Sequence, residues 1–550
     1  MKSKKFIVLL CFLISIVAIA IVIINLTGET KVGTLPTTKQ QYELKSDNPV
    51  ETVEYNLGKG ALTTPGKTDI PYQKQGVLTF ATNKKNAPLA VIIHGRHGVS
   101  DIKNIKEEEN YYKGFTYLAQ NLSKEGYAVI SIDVNAEHHE QINDENYGES
   151  QKFERLITIY KEHINGLKKA VNGDSTVFNM DLTDKINLSD VTLIGHSRGG
   201  QGIDFLATDL KNSGDDSIKG MISLTPSKNL KDAPYTDVPH GFIIAEYDYD
   251  VDNLEGQVSF DEIKTSKNRT SFANNVFLRG ANHYYFSRKL DLSFTPNVPS
   301  DNVLEKNTID RNQHETFLTG YVTEFIDIIH NKTKPVNNFN ASDVAPKTMY
   351  GAKVMSSMYV PNTKTIFSAD DKTKITSSNA KAEYLVESIN LKDNTIGYFR
   401  HPIDSEFNTN GPNLNLLNFK WSKKDGSATI SVKSTNFTDF STVRFSIAQD
   451  STDKINQGKD QAMTVVFKDK DGKTAKVVVG NSTPALSYLY GTEIEYIENQ
   501  TEWLGYTPLT DLRIPLDLVK GIDKENIECI SLDFDQTEQG SIMLGDVVLE

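Results

Sequence analysis

This sequence of 550 residues has few cysteines and no excess of positively charged residues. Its two cysteines, Cys11 and Cys529, cannot build a disulfide framework, so the fold must be stabilised by burial of side chains. The formal net charge of -13 argues against nucleic acid as a partner, because nucleic-acid-binding proteins usually carry a basic surface. The hydrophobic share of 38% and the charged share of 24% are typical of a folded globular protein, and the length predicts two domains.

One long apolar run stands apart at the N-terminus. Lys2, Lys4 and Lys5 precede an uncharged stretch over residues 6–26, which is long enough to cross a bilayer as a helix. The lysines predict that the N-terminus stays in the cytoplasm. A cleaved signal peptide is the alternative interpretation. We therefore expect a single-pass protein of the cell membrane with extracytoplasmic domains, or a secreted protein if the segment is cleaved, with residues 27–49 as a linker.

The pattern of the remaining chain changes near residue 335. Within residues 50–335, apolar runs typical of buried strands, such as 88–93 and 127–133, are separated by segments with helical spacing. This repetition predicts an α/β domain with a mostly parallel sheet and helices on both faces. Short alternating segments without intervening helices dominate residues 336–550 and predict a β-sandwich domain.

A G-x-S-x-G motif lies between a predicted strand and a predicted helix. Four mostly apolar residues, Val191 to Ile194, precede it, and Gly195, Ser197 and Gly199 then fall at alternate positions. A serine on such a tight turn has strained backbone angles, and the glycines remove side chains that would collide with the strand and the helix. The motif in this context predicts a nucleophile elbow, with Ser197 as the nucleophile.

A serine nucleophile requires a base, an orienting acid and donors for the oxyanion. In hydrolases with a nucleophile elbow, the acid and the histidine follow the serine along the chain, each after a strand. The first acidic side chain able to turn towards a histidine after residues 242–244 is Asp248, with Asp250 as the alternative acid. His283 directly follows the last predicted strand of the domain and is the expected base, with His314 as the second choice.

Backbone N–H groups after the first buried strand and after the nucleophile are the expected oxyanion donors. They belong to Arg96 and Arg198. Further histidines surround the motifs, but their spacing matches no recognised metal site, so we expect no metal. These histidines are His94, His97, His138 and His139. The proposed chemistry requires no cofactor.

These motifs resemble those of a known superfamily. The segment 195–200 resembles the lipase motif of chlorophyllases and related serine esterases of the α/β-hydrolase superfamily. Residues 245–248 resemble the acid segment of cutinase-like polyester hydrolases, and residues 280–283 resemble the histidine loop of bacterial relatives. The resemblance covers about residues 50–330 and implies the α/β-hydrolase fold, whereas the C-terminal part is similar to jelly-roll, carbohydrate-module-like domains.

The sequence thus predicts an extracytoplasmic serine hydrolase that cleaves carboxylic esters through Ser197, His283 and Asp248. Its substrate would be a small-molecule or polymeric ester, bound by a protein held at the membrane through residues 6–26. Two alternatives remain open. The chain could be an inactive hydrolase-like surface protein that binds glycan or another partner through its β domain. It could also be a peptidase or acyltransferase with the same triad, because these classes differ only in substrate.

Overall fold

The computed structural model describes most of the chain after residue 29. The described ranges are 30–62, 69–97, 109–139, 152–228, 234–251, 254–266, 268–294, 307–369, 371–387, 414–451, 453–480, 483–495, 501–504 and 508–550. The strands are β1 (Lys31–Thr34), β2 (Lys39–Gln40), β3 (Val50–Leu62), β4 (Ile70–Ala81), β5 (Ala87–Ile93), β6 (Ala128–Ile132), β7 (Ile186–His196), β8 (Ile218–Leu224), β9 (His240–Tyr247), β10 (Ala273–Asn282), β11 (Thr348–Met349), β12 (Ala352–Tyr359), β13 (Lys364–Phe367), β14 (Ile375–Ser378), β15 (Lys381–Glu387), β16 (Leu414–Trp421), β17 (Gly426–Thr435), β18 (Thr442–Gln449), β19 (Met463–Asp469), β20 (Thr474–Val479), β21 (Thr492–Glu495), β22 (Thr501–Leu504), β23 (Thr510–Pro515), β24 (Ile527–Phe534) and β25 (Gly540–Leu549). The α-helices are α1 (Thr116–Lys124), α2 (Glu154–Val171), α3 (Arg198–Asn212), α4 (Glu255–Lys264) and α5 (Arg311–Ile329).

An 11-stranded sheet with the order β2-β11-β12-β10-β9-β8-β7-β5-β6-β4-β3 carries the predicted site residues. Its centre, from β6 through β5, β7, β8 and β9 to β10, is parallel. Side chains of β5 alternate between two apolar cores. Leu89 and Val91 pack with α2 and α3, and Ala90 and Ile92 pack with α1 and α5. The central strands are rich in apolar residues because both of their faces are covered.

The expectation of an α/β protein with a mostly parallel sheet is wrong. Strands account for 38% of the structure and helices for 22%, so the protein is mostly β. The large sheet is mixed, because antiparallel strands flank its parallel centre on both sides: β3 and β4 at one edge, β12 at the other. Residues after 348 add many strands and no α-helix to the described chain, which shifts the balance further.

Two further sheets enclose another apolar core, separate from the two cores that cover the large sheet. One has the order β1-β20-β19-β24-β17-β14, and the other has the order β15-β16-β25-β18-β23 with β13 paired to β25. Side chains from both sheets, including Phe467 and Phe445, meet in one apolar cluster. Trp421 is buried there and stacks on Phe534 with ring centroids 4.2 Å apart. This tryptophan fills the core and offers no exposed face to a sugar ring.

Strand pairing involves the predicted linker and crosses the predicted domain boundary. Residues 31–40, expected in a solvated linker, form β1, which pairs with β20, and β2, which pairs with β11. The boundary expected at residue 335 is crossed by the large sheet, since β12 pairs with β10. The two parts also share an apolar cluster that includes Phe277 and Met543. Backbone pairing over such distances leaves no local sequence signal.

The expectation of a single-pass membrane protein is also corrected. None of the helices in the described part of the chain combines the length and the apolar character that a membrane span requires. Residues 6–26, on which that expectation rested, lie outside the described residues.

Candidate active site

Ser197 occupies a strained turn between β7 and α3. Its backbone angles are φ 55° and ψ -126°, a combination that L-residues seldom adopt. A Cβ on Gly195 would lie 2.3 Å from the Gly199 carbonyl oxygen, and a Cβ on Gly199 would lie 2.6 Å from the His94 carbonyl oxygen. The glycines are therefore required by close backbone packing around the serine. The predicted strand, turn and helix around Ser197 are present.

Asp248 and His283 meet because neighbouring strands end together. The parallel register of β9 and β10 pairs Tyr247 with Asn282, so the next residue of each strand, Asp248 or His283, lies at the same edge of the sheet. Nδ1 of His283 lies 2.9 Å from Oδ1 and 3.0 Å from Oδ2 of Asp248. Oδ1 also accepts the N–H groups of Asp250 and Val251, at 3.1 and 2.7 Å. These bonds hold the carboxylate against the imidazole.

Charge governs the protonation of this pair. Burial lowers the pKa of His283, but the negative charges of Asp248 and Asp250 outweigh burial, so the pKa is raised above its usual 6.5. Burial also raises the pKa of Asp248, opposed by its contact with His283. Because Nδ1 donates to the carboxylate, the lone pair of the neutral ring is at Nε2. Nε2 is buried and has no hydrogen-bond partner among the described residues.

The loop that carries His283 is braced by other histidines. Nε2 of His314 accepts the N–H of Asn282 at 3.0 Å, and its Nδ1 donates to the Asp310 carbonyl oxygen at 2.8 Å. Burial lowers the pKa of His314 to about 4, so the ring stays neutral. Nε2 of His196 donates to the His283 carbonyl oxygen at 3.0 Å. Both ring nitrogens of His314, the second choice for the base, are thus hydrogen-bonded to backbone groups.

His196 links the base loop to the elbow, since it immediately precedes Ser197. Its ring centroid lies 4.7 Å from that of His283. The predicted base and the predicted nucleophile therefore belong to adjoining backbone segments. A hydrogen bond between Ser197 and Nε2 of His283 is not formed in the structure. Catalytic hydrogen bonds often form only in the substrate complex, so a triad does not require this bond in the free protein.

The expected oxyanion residues flank the serine on two sides. Arg198 begins α3 directly after Ser197. Arg96 follows Gly95, and a Cβ on Gly95 would lie 2.5 Å from Cβ of Ser197. The loop after β5 therefore approaches the nucleophile closely. The Arg96 side chain is exposed, whereas Arg198 is buried with its guanidinium 5.3 Å from the ring of Phe153.

Asp250, the alternative acid, faces the other side of the imidazole. Its Oδ2 lies 3.6 Å from Nε2 of His283, and its side chain is 42% exposed. Asp248 holds Nδ1 and is almost fully buried. Asp248 thus lies beside Nδ1 and Asp250 beside Nε2. Only Asp248 is placed to orient the ring for proton transfer at Nε2.

A second serine, histidine and aspartate lie together behind the elbow. Oγ of Ser223 lies 2.9 Å from Nε2 of His240, and Nδ1 of His240 lies 3.8 Å from Oδ1 of Asp204. The Ser223 hydroxyl donates to the Gly200 carbonyl oxygen at 3.1 Å, so Nε2 of His240 must supply the proton of the other bond. A nitrogen that already carries a proton cannot accept one from Ser223. Sequence reasoning missed this group, because no motif marks it.

The remaining histidines of the sequence analysis are also buried near the elbow. They are His94, His97, His138 and His139. Over the described ranges, no group of three or more histidine, cysteine, aspartate or glutamate side chains is arranged to hold a metal ion. A comparison with protein-family models and with curated protein sequences finds no match for the chain. The resemblance to serine esterases therefore stays a prediction.

Proposed function

We propose that the protein is a serine hydrolase that cleaves carboxylic esters. The observation that carries the proposal is the strained Ser197 backbone, at φ 55°, on a segment adjoining the Asp248–His283 pair. Strain of this kind persists where the surrounding structure enforces it and is concentrated at functional sites. A buried imidazole with a carboxylate on one nitrogen and a free lone pair on the other is a suitable general base.

In the proposed reaction, Oγ of Ser197 attacks the acyl carbon while Nε2 of His283 takes its proton. Asp248 stabilises the imidazolium that forms, and the N–H groups of Arg96 and Arg198 stabilise the oxyanion. The imidazolium then donates its proton to the leaving alcohol, which gives an acyl-enzyme. Water, activated by the same imidazole, releases the acid and regenerates Ser197. The peptidase and acyltransferase alternatives use the same steps with an amine leaving group or an alcohol acceptor.

Pre-steady-state kinetics tests this proposal. The full chain is mixed with short nitrophenyl esters in excess, and nitrophenol release is followed from the first milliseconds. We expect a burst of about one equivalent per protein and then slower turnover, since an acyl-enzyme accumulates when its hydrolysis is slow. The corresponding anilides separate ester from amide preference. Ester hydrolysis no faster than in buffer alone would refute the proposal.

A further inference from the structure

His97 is a buried side chain at the elbow that the proposed triad does not use. It follows β5 on the loop that approaches Ser197, and it is 4% exposed. An ideal Cβ on Gly95 would lie 2.5 Å from Cβ of Ser197 and 3.0 Å from Nε2 of His97. Both atoms are therefore close to one point beside the nucleophile. The imidazole of His97 therefore lies near the side chain of Ser197.

Nε2 of His97 has no hydrogen-bond partner among the described residues, although it is buried. A buried polar atom without a partner costs free energy, and in native proteins such atoms are few and call for an explanation. The ring is held in place by neighbours: its centroid lies 5.3 Å from those of Tyr111 and His196 and 6.2 Å from that of His283. A fixed ring with one unbonded nitrogen next to a nucleophile is preorganised for a transient partner.

The charge state of His97 fits a donor and does not fit a base. Burial, followed by the neighbouring imidazoles of His196, His283, His94 and His138, lowers its pKa well below 6.5. The ring is therefore neutral at neutral pH and holds one proton. His283, by contrast, has a carboxylate to stabilise its protonated form.

We infer that His97 is a further catalytic residue, whose Nε2–H donates a hydrogen bond to the developing oxyanion beside the N–H groups of Arg96 and Arg198. This inference rests on the proposed function. No proton is transferred at His97: the bond strengthens as the acyl oxygen gains charge and weakens as the tetrahedral intermediate collapses. Removal of a single oxyanion donor typically costs about 10²–10³ in kcat.

Two amide substitutions test the position of the donor. In His97→Gln the side-chain amide reaches the place of Nε2, whereas in His97→Asn it reaches only that of Nδ1. We expect His97→Gln to retain most of kcat and His97→Asn to lose about 10²–10³ in kcat with little change in KM. His163→Gln, which removes another buried imidazole, bonded to Tyr55 at 2.8 Å, is the matched control and should leave kcat unchanged. Equal kcat for the two His97 variants would overturn the inference.

A methyl trifluoromethyl ketone provides a readout that does not depend on turnover. Ser197 adds to its carbonyl carbon, the serine proton moves to His283, and the carbonyl oxygen becomes a stable oxyanion. We expect the inhibition constant to rise with the loss of kcat in His97→Asn, while the rising limb of the pH–rate profile, set by His283, stays in place. A shift of that limb would identify His97 as the base instead.

Two further measurements distinguish a loss of folding from a loss of function. Thermal unfolding shows whether each variant is folded, and 15N-histidine-labelled wild-type protein gives a measurement without any variant. In the ketone complex we expect new downfield N–H signals from two different imidazole rings, those of His283 and His97; new signals from one ring only contradict the inference. Absence of both ester hydrolysis and ketone binding in the wild type would instead remove the proposed function itself.

Discussion

Among the described residues, two serine, histidine and aspartate groups lie on the same sheet, and they differ in geometry and in the placement of their protons. Ser197 terminates β7 in a strained turn, whereas Ser223 lies within β8. His283 contacts its carboxylate at 2.9 Å, whereas His240 lies 3.8 Å from its nearest one, on Asp204. Exposure does not separate the two groups, since the members of both are almost fully buried.

The two groups differ in which ring nitrogen of the histidine donates a hydrogen bond. His283 donates from Nδ1 and keeps a free lone pair at Nε2, whereas His240 donates from Nε2 and has nothing left to activate Ser223. Burial, followed by the charge of Arg269, lowers the pKa of His240 well below 6.5. The pKa of His283 is raised, because two carboxylates outweigh its burial. The direction of a hydrogen bond thus distinguishes the proposed catalytic group from the group at Ser223, although residue types and burial are alike.

Substitution of the two serines should give the largest contrast. Ser197→Ala removes the nucleophile and should lower kcat on the order of 10⁶-fold, as for other triad serines. Ser223→Ala should lower kcat less than about tenfold and should cost about 1–3 kcal/mol of unfolding free energy, because it leaves the buried Nε2–H of His240 without its acceptor. Ester hydrolysis and denaturant unfolding measure both effects. A comparable loss of kcat in the two variants would abolish the distinction.

The two aspartates should differ by a smaller factor. Asp248→Asn should lower kcat by about 10⁴, since the amide no longer favours the required tautomer of His283. Asp204→Asn should leave kcat unchanged, because burial raises the pKa of Asp204 well above 3.8 and disfavours its charged form. Steady-state kinetics of both variants decides whether Asp248 is the orienting acid. If only Asp250→Asn lost orders of magnitude, the acid would be Asp250.

Asp204 also predicts a pH-dependent stability. Its folded-state pKa is raised, so its stabilising contribution is present below the unfolded value of about 3.8 and is lost as pH rises through the folded value. Asp204→Asn should therefore raise the free energy of unfolding at pH 8 relative to the wild type, but not at pH 3. Urea unfolding at the two pH values measures the difference, and a larger gain at pH 3 would contradict it.

Asp250 should influence the pH at which kcat/KM rises on the acidic side of the pH–rate profile. The general base must be neutral, so kcat/KM should rise with pH through the His283 pKa, above 6.5. The groups facing His283 are Asp248, Asp250 and the rings of His196, His97 and Tyr284. Asp250→Asn removes one negative charge 3.6 Å from Nε2, so the limb should move to lower pH. An unmoved or alkaline-shifted limb would show that Asp250 does not act on the ring.

The smallest effect is expected at His314. His314→Leu leaves the Asn282 N–H without its acceptor, which should cost about 1–3 kcal/mol of unfolding free energy and roughly tenfold in kcat through looser placement of His283. His314→Gln retains an acceptor and should lie closer to the wild type. The loss should not vary between pH 6 and pH 9, because the pKa of His314 is lowered to about 4. A loss that follows pH would assign His314 a role in proton transfer.

Features encoded by adjacent residues could be predicted from the sequence. The elbow at Ser197 has its own motif, and the positions of Asp248 and His283 follow from the ends of two apolar strands. The order of these residues along the chain fits a rule that holds for one class of hydrolase. Local patterns therefore predict that Asp248 and His283 lie at the same edge of the sheet, and the two side chains are in contact there.

Features that depend on long-range pairing could not be predicted. The group at Ser223 exists because β8 lies between β7 and β9, which brings His240 beside it. Lys31 and Val32 pair with β20 near the other end of the chain, so a stretch with the composition of a linker forms a strand. The loop that carries His97 approaches Ser197 closely because Gly95 has no side chain that would meet Cβ of Ser197.

Active-site labelling tests the central claim most directly. The full chain is incubated with a fluorophosphonate probe, digested, and analysed by mass spectrometry for the modified residue. We expect one equivalent of probe on Ser197, because Nε2 of its proposed base, His283, is unbonded among the described residues, and none on Ser223, because the neighbouring His240 donates from Nε2. Failure of the probe to label the protein, or labelling at Ser223, would contradict the account.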